Sequence, residues 1–168
     1  STQESFTVTV TDDEDPVIVG LPANITQTAD AGMCTTAVTW TEATATDNCP
    51  GVNISSDIAS GSYFFKGTTT VTYTATDAAG NSVTGTFTVT ITDTEDPVID
   101  GLPADITQSN DAGLCTAVVT WTEPTALDNC PGASIASSHA PGSTFAVVTA
   151  VVTFKAHAGA GRNSRCPV

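Results

Sequence analysis

The sequence predicts an all-β chain made of two tandem antiparallel β-sandwiches, on three observations. Apolar residues alternate with threonine at Phe6, Val8 and Val10, at Val71, Tyr73 and Ala75, and at Phe87, Val89 and Ile91. Period two with β-branched residues on the outer face is the pattern of half-buried strands. Turn signals recur at Ala31-Gly32, Pro50-Gly51, Lys66-Gly67 and Ala79-Gly80-Asn81, and no stretch sustains a helical period. The chain also repeats without a gap, 81 positions on: Asp15-Pro16 returns as Asp96-Pro97, Cys34 as Cys115, Trp40 as Trp121, and Asp47-Asn48-Cys49 as Asp128-Asn129-Cys130. About seven short strands per copy, with turns between them, is an immunoglobulin-like arrangement.

Residues 1–11 hold Phe6-Thr7-Val8-Thr9-Val10-Thr11, which matches Phe87-Thr88-Val89-Thr90-Ile91-Thr92. The head of the chain therefore reads as the last strand of a sandwich whose remainder is elsewhere. The first copy spans 12–92 and the second 93–168, and the second is expected to lack its last strand. Each copy opens on an acidic junction, Thr11-Asp12-Asp13-Glu14-Asp15-Pro16 and Thr92-Asp93-Thr94-Glu95-Asp96-Pro97. Proline fixes its own φ and restricts the residue before it, so these junctions are stiff and suggest a rod. The register breaks late in the second copy, where Lys155, Arg162, Arg165 and the unpaired Cys166 cluster. That tail reads as a specialised terminus or as a sequence error.

Eighteen acidic residues against four basic ones give a net charge of −14. This argues against binding nucleic-acid phosphates and favours divalent cations or basic partners. No apolar run approaches the roughly 20 residues that span a bilayer, and no signal peptide is visible, as in a processed secreted chain. Five cysteines, four of them at repeated positions, point to disulfides and an oxidising, extracellular compartment. The expected bridges lie within each copy, Cys34–Cys49 and Cys115–Cys130, each contributing about 3 kcal/mol by loop closure. Cys166 remains for an inter-subunit bridge or as a free thiol. Zinc is disfavoured, because each copy has only two repeated cysteines and His139 and His157 do not repeat. No Ser-His-Asp set repeats, so no enzymatic activity is expected; Trp40 and Trp121 are expected as core anchors.

Several runs resemble the hyalin repeat: Trp40-Thr41-Glu42, Asp47-Asn48-Cys49, Gly61-Ser62-Tyr63-Phe64, the segment from Gly67 to Asn81, and Phe87-Thr88-Val89-Thr90. In the second copy Trp121-Thr122-Glu123-Pro124 and Ser138-His139-Ala140-Pro141-Gly142-Ser143 carry the same likeness. The resemblance implies an immunoglobulin-like fold in extracellular, often tandem, adhesive or structural proteins without catalysis. Such repeats often hold a second cysteine pair; the corresponding positions here are Leu21 and Gly85.

The acidic junctions are the candidate chemistry. Asp12, Glu14 and Asp15 repel one another unless a counter-ion joins them, and calcium accepts six to eight hard oxygens. The layout resembles the calcium-binding linkers of cadherins. The loop between the last two strands of such a sandwich shares one end with the N-terminus, which brings Asp77 to this cluster; the Asp47 loop is a further candidate. In the second copy the set is Asp93, Glu95, Asp96 and Asp128, with Ala158 in place of Asp77. The competing reading is a solvated acidic linker. Asn24 and Asn53 head N-glycosylation triplets, Asn24-Ile25-Thr26 and Asn53-Ile54-Ser55.

Together these readings describe an extracellular structural protein. Its copies would join head to tail, Phe6, Val8 and Val10 of one entering the next, with calcium as cofactor. The alternative is an adhesion or ligand-binding module of a larger multi-repeat surface protein, with glycans or cell-surface ligands as partners. A spacer domain of a secreted enzyme is a third reading.

Overall fold

In the computed structural model, which describes residues 1–159, every regular element is a β-strand. The divergent tail with Arg162, Arg165 and Cys166 lies outside the described residues. The first compact unit comprises Ser1–Gln27 and Thr35–Thr92, the second Thr28–Cys34 and the chain from Asp93 onward. The first unit contains β1 (Val17–Val19), β2 (Ile25–Thr28, whose last residue falls to the second unit), β3 (Thr35–Ala37), β4 (Thr44–Thr46), β5 (Asn53–Ser56), β6 (Tyr63–Phe65), β7 (Gly67–Thr76) and β8 (Ser82–Thr92).

The two longest threonine alternations become β7 and β8, paired from Gly67↔Ile91 to Thr76↔Ser82. Alternate side chains fall on one face, so Val71, Tyr73, Ala75, Phe87, Val89 and Ile91 are all buried while the threonines between them face outward. This hairpin is the middle of a four-stranded sheet ordered β2-β8-β7-β5, and β1-β4 and β3-β6 form two-stranded sheets. Trp40 fills the space between layers, meeting Phe64 and Phe87 edge-on at centroid distances of 6.0 and 5.1 Å. Its indole N–H donates to the Tyr73 hydroxyl at 2.8 Å, and that hydroxyl donates to Glu42. Burial raises the Tyr73 pKa, and the bond to Glu42 raises it further. Trp40 is thus a core anchor, as expected.

The second unit contains β9 (Val98–Asp100), β10 (Thr116–Val119), β11 (Thr125–Leu127), β12 (Ser134–Ser137), β13 (Ser143–Ala146) and β14 (Phe154–His157). Its pairs, β9-β11, β10-β13 and β12-β14, repeat β1-β4, β3-β6 and β5-β7. Counterparts of β2 and β8 are missing among the described residues. In the first copy β2 is held by β8; the positions matching β8 in the second copy fall outside the described residues, and the segment around Ile106 pairs with no strand among those described. Ile106 is accordingly exposed. The core is also thinner. Trp121 lies near Phe145, but its indole N–H is buried without an acceptor. The hydroxyl that serves Trp40 has no equivalent, because Phe154 stands where the first copy has Tyr73.

The cysteine pairing differs from expectation. Cys34 is bonded to Cys130, and Cys49 and Cys115 are exposed free thiols; neither Cys34–Cys49 nor Cys115–Cys130 forms. The reason lies in the strand hand-over. Cys34 immediately precedes β3, which pairs with β6; Cys49 follows β4, which pairs with β1. The two cysteines thus flank strands of different sheets, and they belong to different compact units. Cys49 ends beside Asp12, whereas Gly32 and Met33, just before Cys34, bond to Glu95 and Asn129. The bond that does form closes a separation of 96 residues; loops of that size contribute about 4.7 kcal/mol in the chain-entropy model.

Tyr73→Phe leaves the Trp40 indole without its acceptor and is expected to cost about 1–3 kcal/mol. Phe154→Tyr offers Trp121 a hydroxyl and is expected to gain about 0.5–1.5 kcal/mol. Denaturant unfolding followed by tryptophan fluorescence measures both; no loss of stability in Tyr73→Phe, or a loss in Phe154→Tyr, would contradict the assignment.

Candidate metal centre

The antiparallel pairing of β1 with β4 ends at Val17↔Thr46, so the junction before β1 and the loop after β4 leave the sheet side by side. Buried Pro16 anchors the junction. The Glu14 N–H donates to Asp12 Oδ1 at 3.2 Å, which folds the junction. The Cys49 N–H donates to Asp47 Oδ2 at 2.9 Å, which folds the loop. Asn48 Nδ2 reaches across to Glu14 Oε2 at 2.9 Å. As a result Asp12, Asp47 and Cys49 present donor atoms within 4.8 Å of one another.

The second unit builds the same arrangement. Val98↔Leu127 brings junction and loop together, the Glu95 N–H donates to Asp93 Oδ1 at 3.1 Å, and the Cys130 N–H donates to Asp128 Oδ1 at 2.7 Å. Asp93, Asp128 and Cys130 then lie within the same 4.8 Å. In both units one oxygen of the loop aspartate, Asp47 Oδ1 and Asp128 Oδ2, is buried without a hydrogen-bond partner. A carboxylate oxygen shut off from water with no donor is costly, and a second carboxylate beside it adds repulsion. A cation would relieve both, and the donor chemistry bears on which kind would fit. A hydrogen bond to Asp12 pushes the Cys49 thiol pKa up, so it resists becoming a thiolate, and the Cys130 sulfur is held in a disulfide. What the two clusters share is carboxylate oxygen, which fits calcium better than zinc.

Of the residues predicted from sequence, the structure gathers Asp12 with Asp47 and Asp93 with Asp128. Glu14 and Glu95 sit at the rim, engaged by Asn48 and by the Gly32 N–H respectively. Asp15 and Asp96 are exposed beside the junctions. Asp77 lies near enough to this cluster for its charge to raise the Cys49 thiol pKa, and it also holds a turn. Its Oδ1 accepts from the Gly80 and Asn81 N–H groups at 2.6 and 2.8 Å, and its Oδ2 accepts from Asn81 Nδ2 at 2.7 Å. This closes the β7–β8 turn, where Gly80 takes φ +101°, a value that suits glycine. Burial pushes the Asp77 carboxyl up, but these hydrogen bonds outweigh it and hold the pKa below the ordinary 3.8. Asn81 Nδ2 also reaches the Asp12 carbonyl at 3.3 Å, which ties the turn to the junction. The Asp-Asn-Cys triplet, unbroken in both copies, was the signal for the aspartate loop; the structural role of its asparagine needed coordinates. Asn24 and Asn53 are both exposed, and Asn24 Oδ1 accepts from the Thr88 N–H at 2.8 Å.

The folded pKa of Asp77 lies below its unfolded value, so its contribution is complete above about pH 3.8 and is lost as pH falls through the folded value. Amide exchange at Gly80 and Asn81 is expected to accelerate in that acid window, and Asp77→Asn is expected to remove most of the pH dependence. Unchanged exchange in both proteins would contradict the capping role.

The sequence model of the HYR domain family matches residues 11–91 and 92–168. Among curated proteins, Hyalin of Lytechinus variegatus is 40% identical over 154 residues, covering 89% of this chain and 29% of that protein. Hyalin of Strongylocentrotus purpuratus is 37% identical over 154 residues, covering 89% and 13%. The Sushi, von Willebrand factor type A, EGF and pentraxin domain-containing protein 1 of Rattus norvegicus is 33% identical over 160 residues, covering 89% and 4%. The chain therefore spans less than a third of the length of each of these relatives. No solved structure matches it significantly.

Proposed function

The chain belongs to the HYR domain family, and from that premise we propose that it is an extracellular, non-enzymatic structural protein whose copies join head to tail. The donated element is the strand at residues 6–11, and calcium stiffens the acidic junctions. One observation carries the reading: Phe6, Val8 and Val10 are 88%, 75% and 90% exposed, yet their pattern is that of Phe87, Val89 and Ile91, which are buried in β8. The receiving edge is β14. Its counterpart β7 lies between β5 and β8, whereas β14 pairs only with β12 among the described residues. A strand of the Phe6–Val10 pattern laid on that edge regains ladder hydrogen bonds and buries three apolar side chains. Each contributes roughly 1.5–3 kcal/mol, offset by the cost of association. The contact joins unlike surfaces, so it propagates as an open filament.

Calcium is supported by the orphaned oxygens of Asp47 and Asp128 beside Asp12 and Asp93. An extracellular setting is supported by the disulfide and by the family. No helix among the described residues is long and apolar enough to cross a membrane. A second reading, an adhesion module within a longer multi-repeat surface protein that binds glycans or cell-surface ligands, is favoured by the small share of each relative that the chain covers.

Removing residues 1–11 is expected to leave a soluble protein that forms no filaments in electron micrographs. Filaments of normal length from the shortened chain would overturn the donated strand, and monomers from the intact chain would favour the module reading. Calcium at a hundredfold excess over its dissociation constant is expected to add about 2.7 kcal/mol for a single site, seen as a higher melting temperature that a chelator reverses. Asp47→Asn and Asp128→Asn are each expected to reduce that shift. No response to calcium in the intact chain would leave only a solvated acidic surface.

A further inference from the structure

Cys34 belongs to the first sequence copy and Cys130 to the second, yet both lie in the second compact unit, because Thr28–Cys34 packs there. Three contacts hold that segment: the Gly32 N–H donates to Glu95 Oε1 at 2.7 Å, the Met33 carbonyl accepts from Asn129 Nδ2 at 2.9 Å, and the sulfurs of Cys34 and Cys130 are joined. Moved along by one copy, each participant is present a second time. Residues 28–34, Thr-Ala-Asp-Ala-Gly-Met-Cys, become residues 109–115, Ser-Asn-Asp-Ala-Gly-Leu-Cys, and Glu95, Asn129 and Cys130 correspond to Glu14, Asn48 and Cys49.

The two spare halves are already shaped. The Leu114 N–H donates to the Asp111 carbonyl at 3.0 Å, as the Met33 N–H does to Asp30 at 2.9 Å. Gly113 takes φ +78°, against +72° at Gly32. Leu114 is 56% exposed, comparable with Met33 at 51%. On the other half, Glu14 and Asn48 are exposed and hydrogen-bonded to one another, and Cys49 is next in sequence. Cys49 and Cys115 are both exposed and both unbonded.

We propose that Cys115 of one copy of this chain forms a disulfide with Cys49 of the next, in a contact that reproduces the one between Cys34 and Cys130. Gly113 N–H would donate to Glu14, and the Leu114 carbonyl would accept from Asn48, of the next copy. Bond formation removes two electrons and two protons from the thiol pair. A low-molecular-weight disulfide such as oxidised glutathione takes them up: one thiolate attacks it and releases one glutathione, and the second thiolate then attacks the mixed disulfide and releases the other. The proposal shares only its head-to-tail direction with the donated strand. The two are in register, because a strand received beside β14 would be followed by the junction bearing Glu14, as β8 is followed by the junction bearing Glu95.

The test uses the full chain carrying Cys166→Ser, incubated with oxidised glutathione and run on a non-reducing gel. A ladder of linked oligomers that collapses with dithiothreitol is expected. Cys49→Ser and Cys115→Ser are each expected to remain monomeric, and mixed together they are expected to give a dimer. Mass spectrometry should identify the Cys49 peptide joined to the Cys115 peptide. Absence of a ladder, or joining of Cys49 to Cys49 or Cys115 to Cys115, would overturn the proposal. Val8→Asp in the same background separates it from the donated strand. Filaments that persist in dithiothreitol but are lost with Val8→Asp, and never show the Cys49–Cys115 link under oxidation, overturn the disulfide and leave the strand. A Cys49–Cys115 ladder that survives Val8→Asp supports the disulfide independently.

Discussion

A β-sandwich of this size needs one long, two-sided strand pair to which its short strands can attach, and here that pair is β7–β8. Strands of three or four residues cannot hold themselves in water. β2 and β5 persist because each hydrogen-bonds to one edge of the hairpin, and Trp40 persists in its place because Phe87 and Tyr73 on the hairpin receive it. In the second unit β14 pairs only with β12 among the described residues, no β2 counterpart is seen among them and Ile106 is exposed, while the Trp121 indole lacks the hydroxyl that Tyr73 gives Trp40. An exposed strand edge is a template for another chain. The same molecule carries a matching, exposed apolar ribbon at Phe6, Val8 and Val10.

The repeat acts on linkage as well as on fold. Each of the three contacts from the Thr28–Cys34 segment, to Glu95, Asn129 and Cys130, has its residues present a second time, in the Ser109–Cys115 segment and at Glu14, Asn48 and Cys49. The aspartates of each junction lie beside these contacts, so a cation bound there would lock the loop that carries the linking cysteine. The proposed linkage and cation binding would thus share the same few backbone bonds, from Glu14 and Glu95 to the junction and from Cys49 and Cys130 to the loop.

Much of this was legible in the sequence, and the rest was not for definite reasons. The threonine alternation located β7 and β8, because two-residue periodicity is local and needs no knowledge of the partner strand. The Asp-Asn-Cys triplet located both aspartate loops. The cysteine pairing was not legible. Spacing within a copy suggested Cys34–Cys49, but pairing depends on how β3 passes to β4 across two sheets, which is a non-local fact. The place of Asp77 near the junction follows from topology alone, whereas its hydrogen bonds to Gly80 and Asn81 show that it also holds a turn, a role that Asp-Ala-Ala-Gly-Asn permits but does not announce. The replacement of Tyr73 by Phe154 was visible as a difference; its meaning depended on where the Trp40 indole N–H points.

The most direct measurement is amide hydrogen exchange at residues 6–11 and 154–157 in assembled protein and after dilution to monomer. The account predicts that both segments are protected together in the assembly, lose protection together on dilution, and exchange freely at all concentrations when Val8 is replaced by Asp. Exchange of residues 6–11 at the rate of an unstructured peptide within intact assemblies would contradict it.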